Sequence, residues 1–172
     1  MKLQGKKIAI FLEKMYEDLE FWYPYLRMKE EGAEVVVIAP KVNTYTGKHG
    51  LPAAADQAII AVKDDEFHAL IIPGGYSPDH MRRIPEMIEF VKRMNSSGKT
   101  IAAICHAPWM LASAEIIKGK KITSFFSIKD DLIHAGAEWI DQEVVCDGNL
   151  ITSRNPNDLP AFCKAIIKVL QS

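Results

Sequence analysis

The stretch KKIAIFLEKMYEDLEFWYPYLRMKEEGAEVVVIAP (residues 6–40) decides the fold. It opens on Lys6 to Leu12, a short run that is apolar on both faces, as a strand covered from both sides must be. From Asp18 to Glu31 the period becomes helical, with Leu19, Trp22, Tyr23, Leu26 and the stem of Arg27 along one face. Asp18 stands where an N-cap belongs, Gly32 where a helix stops, and Pro24 inside the pattern allows a kink. Ala33 to Pro40 is a second continuous apolar strand. Strand, helix and strand in this order form a βαβ unit, hence a parallel sheet with a right-handed crossover.

The alternation continues. Asn43 to Ile60 carries turn residues around Gly47 and Gly50 and reads as a small hairpin or edge excursion. Phe67 to Gly75 is a buried strand ended by Pro-Gly-Gly, followed by a helix over about Pro85–Asn95 and a strand in KTIAAIC. HAPWMLASAEII reads as the next helix, closed at Gly119, and SIKDDLIHAGA as a short amphipathic one. The segment from Ala137 to Arg154 reads as two antiparallel strands joined at Asp147-Gly148, a strong hairpin signal. A last helix carries Leu159, Phe162, Ile166 and Val169 or Leu170 on its apolar stripe. The expected architecture is a three-layer α/β/α sandwich, its sheet mainly parallel with a small antiparallel hairpin. No linker, repeat or low-complexity tract divides the chain, so one domain over residues 1–172 is expected.

At 172 residues the chain can build one sizeable core. A formal net charge of −1 gives no pull toward nucleic acid or anionic membrane, and Lys118-Gly119-Lys120-Lys121 reads as a solvated turn. No apolar run has the length of a membrane span, and the N-terminal apolar run stops at Glu13 without a cleavage pattern. Three cysteines, Cys105, Cys146 and Cys163, make neither a disulfide framework nor a zinc pattern. A cytoplasmic location with reduced thiols is expected. Neither G-x-G-x-x-G nor a P-loop is present, which argues against a flavodoxin-like nucleotide binder; no cofactor and no metal is expected.

Chemistry is concentrated at TIAAICHAPWM (residues 100–110). Cys105 falls where a parallel strand ends and a helix begins, the place where α/β proteins gather ligands. Ala103 and Ala107 flank it at two residues on either side, the small neighbours that a nucleophile elbow requires. A helix N-terminus there favours a thiolate, so a lowered thiol pKa is expected. Cys146 and Cys163 read as inert fillers. His106 is the adjacent base, with an orienting partner that local spacing does not reveal. Gly75 and the His106 N–H are the oxyanion donors. Glu17 ends on the same rim, either as a donor to the sulfur or as an ordinary acid at a helix start.

With these residues in place, the chain resembles the PfpI/ThiJ family, PfpI-type peptidases and deglycases of the class I glutamine amidotransferase-like superfamily. The resemblance rests on YEDLEFWYPYLRMKEEGAEV, TGKHG, LIIPGGYSPDHMRR, GKTIAAICHAPWML, SIKDDLIHAGAEWIDQEVVCDGNLITSR and the terminal helix. It implies a flavodoxin-like sandwich, Cys105 as nucleophile, His106 as its histidine, Glu17 as the acid on the sulfur and Gly75 at the oxyanion hole. It also implies a homo-oligomer, dimer or hexamer, in which Asp79 of a neighbouring copy completes the triad. Asp79 stands where the family's peptidases carry Glu, and Ala107 where glycine usually follows Cys-His. The implied substrates are peptides or aldehyde-derived adducts. The rival reading is a redox-sensing or chaperone-like stress protein using the same cysteine.

Overall fold

The computed structural model describes residues 1–171, one residue short of the expected domain span. In chain order the strands are β1 (Lys7–Phe11), β2 (Glu34–Ala39), β3 (Thr44–Thr46), β4 (Pro52–Ala54), β5 (Gln57–Ala58), β6 (Ala69–Ile72), β7 (Thr100–Ile104), β8 (Lys121–Ile122), β9 (Glu138–Trp139), β10 (Val144–Asp147) and β11 (Leu150–Ser153). The helices are α1 (Asp18–Glu30), α2 (Ser77–Met81), α3 (Pro85–Ser96), α4 (Pro108–Ser113), α5 (Lys129–His134) and α6 (Leu159–Gln171).

Seven strands form the central sheet in the order β10-β11-β7-β6-β1-β2-β5. All its pairings are parallel except β10 against β11, the hairpin turned at Asp147-Gly148. That hairpin extends the main sheet, because β11 runs parallel beside β7. Alternation along each strand divides the core in two. Ala9, Phe11, Leu70, Ile72, Ile101 and Ala103 pack with Met87, Phe90 and Val91 of α3 and Met110 and Leu111 of α4. Ile8, Ile10, Ile71, Ala102 and Ile104 face the other way, onto Phe21 and Met28 of α1 and Phe162, Ile166 and Leu170 of α6. These are the three layers expected from the βα alternation. No helix among the described residues is long and apolar enough to cross a membrane.

Three local readings differ from the structure. Of the segment from Ala137 to Arg154, expected as two antiparallel strands, only β10 and β11 pair as a hairpin, while Glu138–Trp139 forms β9 and pairs parallel with β8. The face of α1 expected inside is largely outside: Leu19 is 56%, Tyr23 38% and Leu26 58% exposed, while Asp18, Glu20, Phe21, Pro24 and Met28 are buried. Polar partners at the sheet's carboxyl edge draw Asp18 and Glu20 inward and rotate the helix accordingly. The helix expected to run to Gly119 is only Pro108–Ser113, since Glu115 takes a left-handed φ of 59° and ends it.

Strand order places the site. From β1 the chain goes to β2 on one side, and β6 then pairs on the other, so the loops after β1 and β6 diverge at a topological switch point. They are stitched together: Glu17 N–H donates to Gly74 O (3.1 Å) and Tyr76 N–H to Met15 O (2.9 Å). Cys105 follows β7 next door.

Candidate active site

Cys105 has a φ of 64°, left-handed for a residue with a Cβ. Such a conformation costs about 1–3 kcal/mol and persists only where the surroundings over-determine it. Here Cys105 N–H donates to Ser153 O (3.0 Å), Phe125 N–H donates to Cys105 O (2.9 Å), and Ala107 N–H closes the turn onto Ile104 O (3.0 Å). The elbow expected from the small flanking alanines is present.

The sulfur is 3.2 Å from His106 Nδ1, and His106 Nε2 is 3.2 Å from Ser127 Oγ. Phe125 stacks on the imidazole (centroids 5.1 Å apart, planes at 25°) and the Trp109 ring meets it edge-on at 5.3 Å. Burial, then the positive charge of Lys48, hold the His106 pKa below its ordinary value. Cys105, His106, Glu17, Glu20, Lys48, Gly75, Tyr76, Phe125 and Pro156 line one open cleft of about 370 Å³.

The backbone N–H groups of Gly75 and His106 reach the sulfur and favour its thiolate. Gly75 holds a φ of 76°, and a Cβ on it would stand 2.4 Å from Glu17 N. A Cβ on Gly74 would lie 2.5 Å from Glu20 Oε2 and 2.7 Å from Cys105 Cβ. Backbone can approach the thiol this closely only where side chains are absent.

The thiol itself departs from expectation. Burial pushes its pKa up, as a charge on the neighbouring Glu20 would, while the two N–H groups work in the opposite direction. The elbow lies in a water-poor corner and α4 has only six residues, so desolvation wins over the helix terminus.

The carboxyl that meets the sulfur is Glu20, where sequence reasoning chose Glu17. Glu20 is completely buried, and its Oε2 accepts the Gly74 N–H at 2.8 Å. Its Oε1 has no hydrogen-bond partner among the described residues. Burial raises its pKa to about 8, and the nearby Glu17 charge adds to the rise, so at neutral pH it is largely a carboxylic acid. A protonated Glu20 removes its charge from beside the sulfur and offers a donor in place of an acceptor. Glu17 lies one turn earlier at the cleft mouth, with Lys48 Nζ 2.7 Å and His49 Nε2 3.4 Å from its Oε2. The turn-length spacing of Glu17 and Glu20 was the signal that both acids face one way.

Glu17, Asp18 and His49 also bring ligand atoms within 4.8 Å of one another. Both Asp18 oxygens are engaged by the His49 and Leu51 N–H groups (2.9 Å each), and the Lys48 ammonium already sits on Glu17. The set therefore serves to fold the loop over residues 47–51 against α1 and to hold Lys48 at the cleft. Asp79 is not brought to His106 within the chain. It lies on α2, ion-paired with Arg83. Cys163 is buried, with its pKa raised by burial to about 12, and Cys146 is exposed on the edge strand.

Fold and site together define an α/β sandwich with a cysteine elbow at the switch-point edge of its sheet. The chain belongs to the DJ-1/PfpI family, whose model matches residues 6–169. It is 44% identical over 165 residues to "Deglycase PfpI" of Pyrococcus furiosus, covering 96% of this chain and 99% of that protein. It is 42% identical over 169 residues to "Protein/nucleic acid deglycase 2" of Escherichia coli, covering 96% and 98%. The crystal structure of Drosophila melanogaster DJ-1beta superposes with a TM-score of 0.92 at 29% identity, covering 98% of this chain and 91% of that one.

Proposed function

We propose that this chain is a cysteine-dependent hydrolase of the deglycase kind, acting on carbonyl groups of aldehyde-derived adducts carried by amines or thiols. The observation that carries the reading is Cys105, held at an elbow with its sulfur 3.2 Å from a neutral imidazole and opening onto a cleft. The relatives named as deglycases support the substrate class.

In this reading the sulfur displaces the amine or thiol from the carbinol carbon of the adduct: the carbon–sulfur bond forms, the bond to the amine or thiol breaks, and the thiol proton passes through His106 Nδ1 to the departing group. The hydrogen of that carbon then moves as a proton to His106 and back to the adjacent carbonyl carbon, through an enediolate whose oxygen the Gly75 and His106 N–H groups would face. The product is a hydroxyacyl thioester, which water cleaves to the free thiol and a hydroxy acid. Glu20, held neutral, supplies no competing charge. Peptide hydrolysis uses the same groups but must expel and protonate an amide nitrogen from a tetrahedral intermediate, so it leans harder on His106 as a proton donor. Association of copies belongs to the same reading, with the exposed Leu19, Tyr23 and Leu26 ridge of α1 as the face to bury.

The test is turnover of a methylglyoxal-modified peptide, followed by chromatography of the freed amine. Wild type is expected to release it and Cys105→Ser to fall to background. Equal rates in the two proteins would remove Cys105 from the reaction. A peptide substrate without the adduct, cleaved faster than the adduct is released, would move the reading to peptidase.

A further inference from the structure

We propose that Ser127 is the positioning residue for His106, accepting the Nε2–H so that Nδ1 presents its lone pair to Cys105. The inference rests on the reading of Cys105 and His106 given above. Neither the DJ-1/PfpI match nor the elbow motif points to Ser127, which lies 21 residues beyond His106.

The geometry comes from the loop. Phe125 is bonded to the Cys105 carbonyl and stacked on the imidazole, and one turn of 3₁₀ helix over Phe126–Ile128 follows it. Ser127 is the middle residue of that turn, and its hydroxyl reaches Nε2 at 3.2 Å. The ring is thereby held on four sides: sulfur at Nδ1, hydroxyl at Nε2, Phe125 on its face and Trp109 at its edge. A neutral imidazole carries one N–H. With that hydrogen on Nε2, directed at Ser127, Nδ1 is free to take the thiol proton. With it on Nδ1, the ring would present a hydrogen to the sulfur and could not act as its base. Once the proton has moved from sulfur to Nδ1, the imidazolium still donates from Nε2 to the same hydroxyl, so no rearrangement accompanies the step.

A hydroxyl differs from the carboxylate that usually stands behind a catalytic histidine. It orients the ring without adding negative charge, in keeping with an imidazole whose pKa remains below its ordinary value. Asp79, the carboxylate anticipated from a neighbouring copy, is ion-paired with Arg83 within its own chain.

Ser127→Ala tests this. The expected result is kcat lower by about 3- to 10-fold, the effect of one neutral hydrogen bond, at unchanged KM. Ser127→Thr, which keeps a hydroxyl, is expected to restore kcat. Nitrogen-15 spectra of the histidine rings, with His106→Gln for assignment, are expected to show His106 mainly as the Nε2–H tautomer in wild type and mixed in Ser127→Ala. This readout needs no turnover, so it judges Ser127 even if the adduct substrate proves wrong. Wild-type kcat and tautomer in Ser127→Ala overturn the proposal, as does failure of Ser127→Thr to recover either one. An Asp79→Asn variant that loses kcat while Ser127→Ala does not would give the orienting role to the neighbouring copy.

Discussion

Glu20→Gln isolates the most unusual electrostatic feature of the site. Glu20 has a folded-state pKa of about 8 against an ordinary 4.5, because burial disfavours its charged form. Its folded pKa lies above its unfolded one, so its contribution to stability is fully present below the unfolded pKa. That contribution is lost as pH climbs through the folded value. Between the two pKa values the unfolded chain has released the proton and the folded chain has not. Stability in that window falls by about 1.4 kcal/mol per pH unit. From about pH 5.5 to about pH 7.5 the wild type should lose roughly 2–3 kcal/mol through this one group. Glutamine copies the protonated carboxyl in shape. Its oxygen can keep the Gly74 N–H, and its amide takes the place of Oε1, the atom left without a partner. The variant should therefore match wild type in acid and exceed it by a growing margin as pH rises toward 8. Urea denaturation at a series of pH values measures the difference. Parallel stability curves for the two proteins would refute a protonated, buried Glu20, and with it the neutral environment assigned to the sulfur.

Two further outcomes follow from the same geometry. Gly74→Ala should abolish adduct release and destabilise the fold by about 1–3 kcal/mol, since the new Cβ collides with Glu20 and Cys105; activity and thermal melting report the two effects. Replacing Leu19 and Leu26 together by Lys should lower the molecular mass seen by light scattering if copies bury the α1 ridge, and unchanged mass would place any association elsewhere.

Much of the architecture was legible in local pattern. The runs at Lys6–Leu12 and Ala33–Pro40 are apolar on both faces, and only a covered parallel strand satisfies both. The Asp147-Gly148 turn likewise selects its hairpin, because Gly148 holds a φ of 60° that few other residues accept. The orientation of α1 was not legible in the same way. Its apolar positions give a hydrophobic stripe, yet two buried acids answer to partners on loops that sequence distance conceals. Asp18 binds the backbone over residues 49–51, and Glu20 binds Gly74. The helix turns to satisfy those bonds and leaves Leu19 and Leu26 in solvent, because an unpaired buried carboxyl costs more than an exposed leucine.

By itself the sequence determined that a cysteine would sit at a strand-to-helix elbow with a histidine next to it and glycines across the gap. Those features are local, set by side-chain size and backbone conformation within a few residues. Tertiary structure decided which acid meets the sulfur, which hydroxyl meets the imidazole, and that burial works against the thiolate. Each of these depends on how far groups from β1, β6, β7 and the loop at Ser127 are taken out of water together. Desolvation is a property of the assembled edge of the sheet, and no single segment carries it.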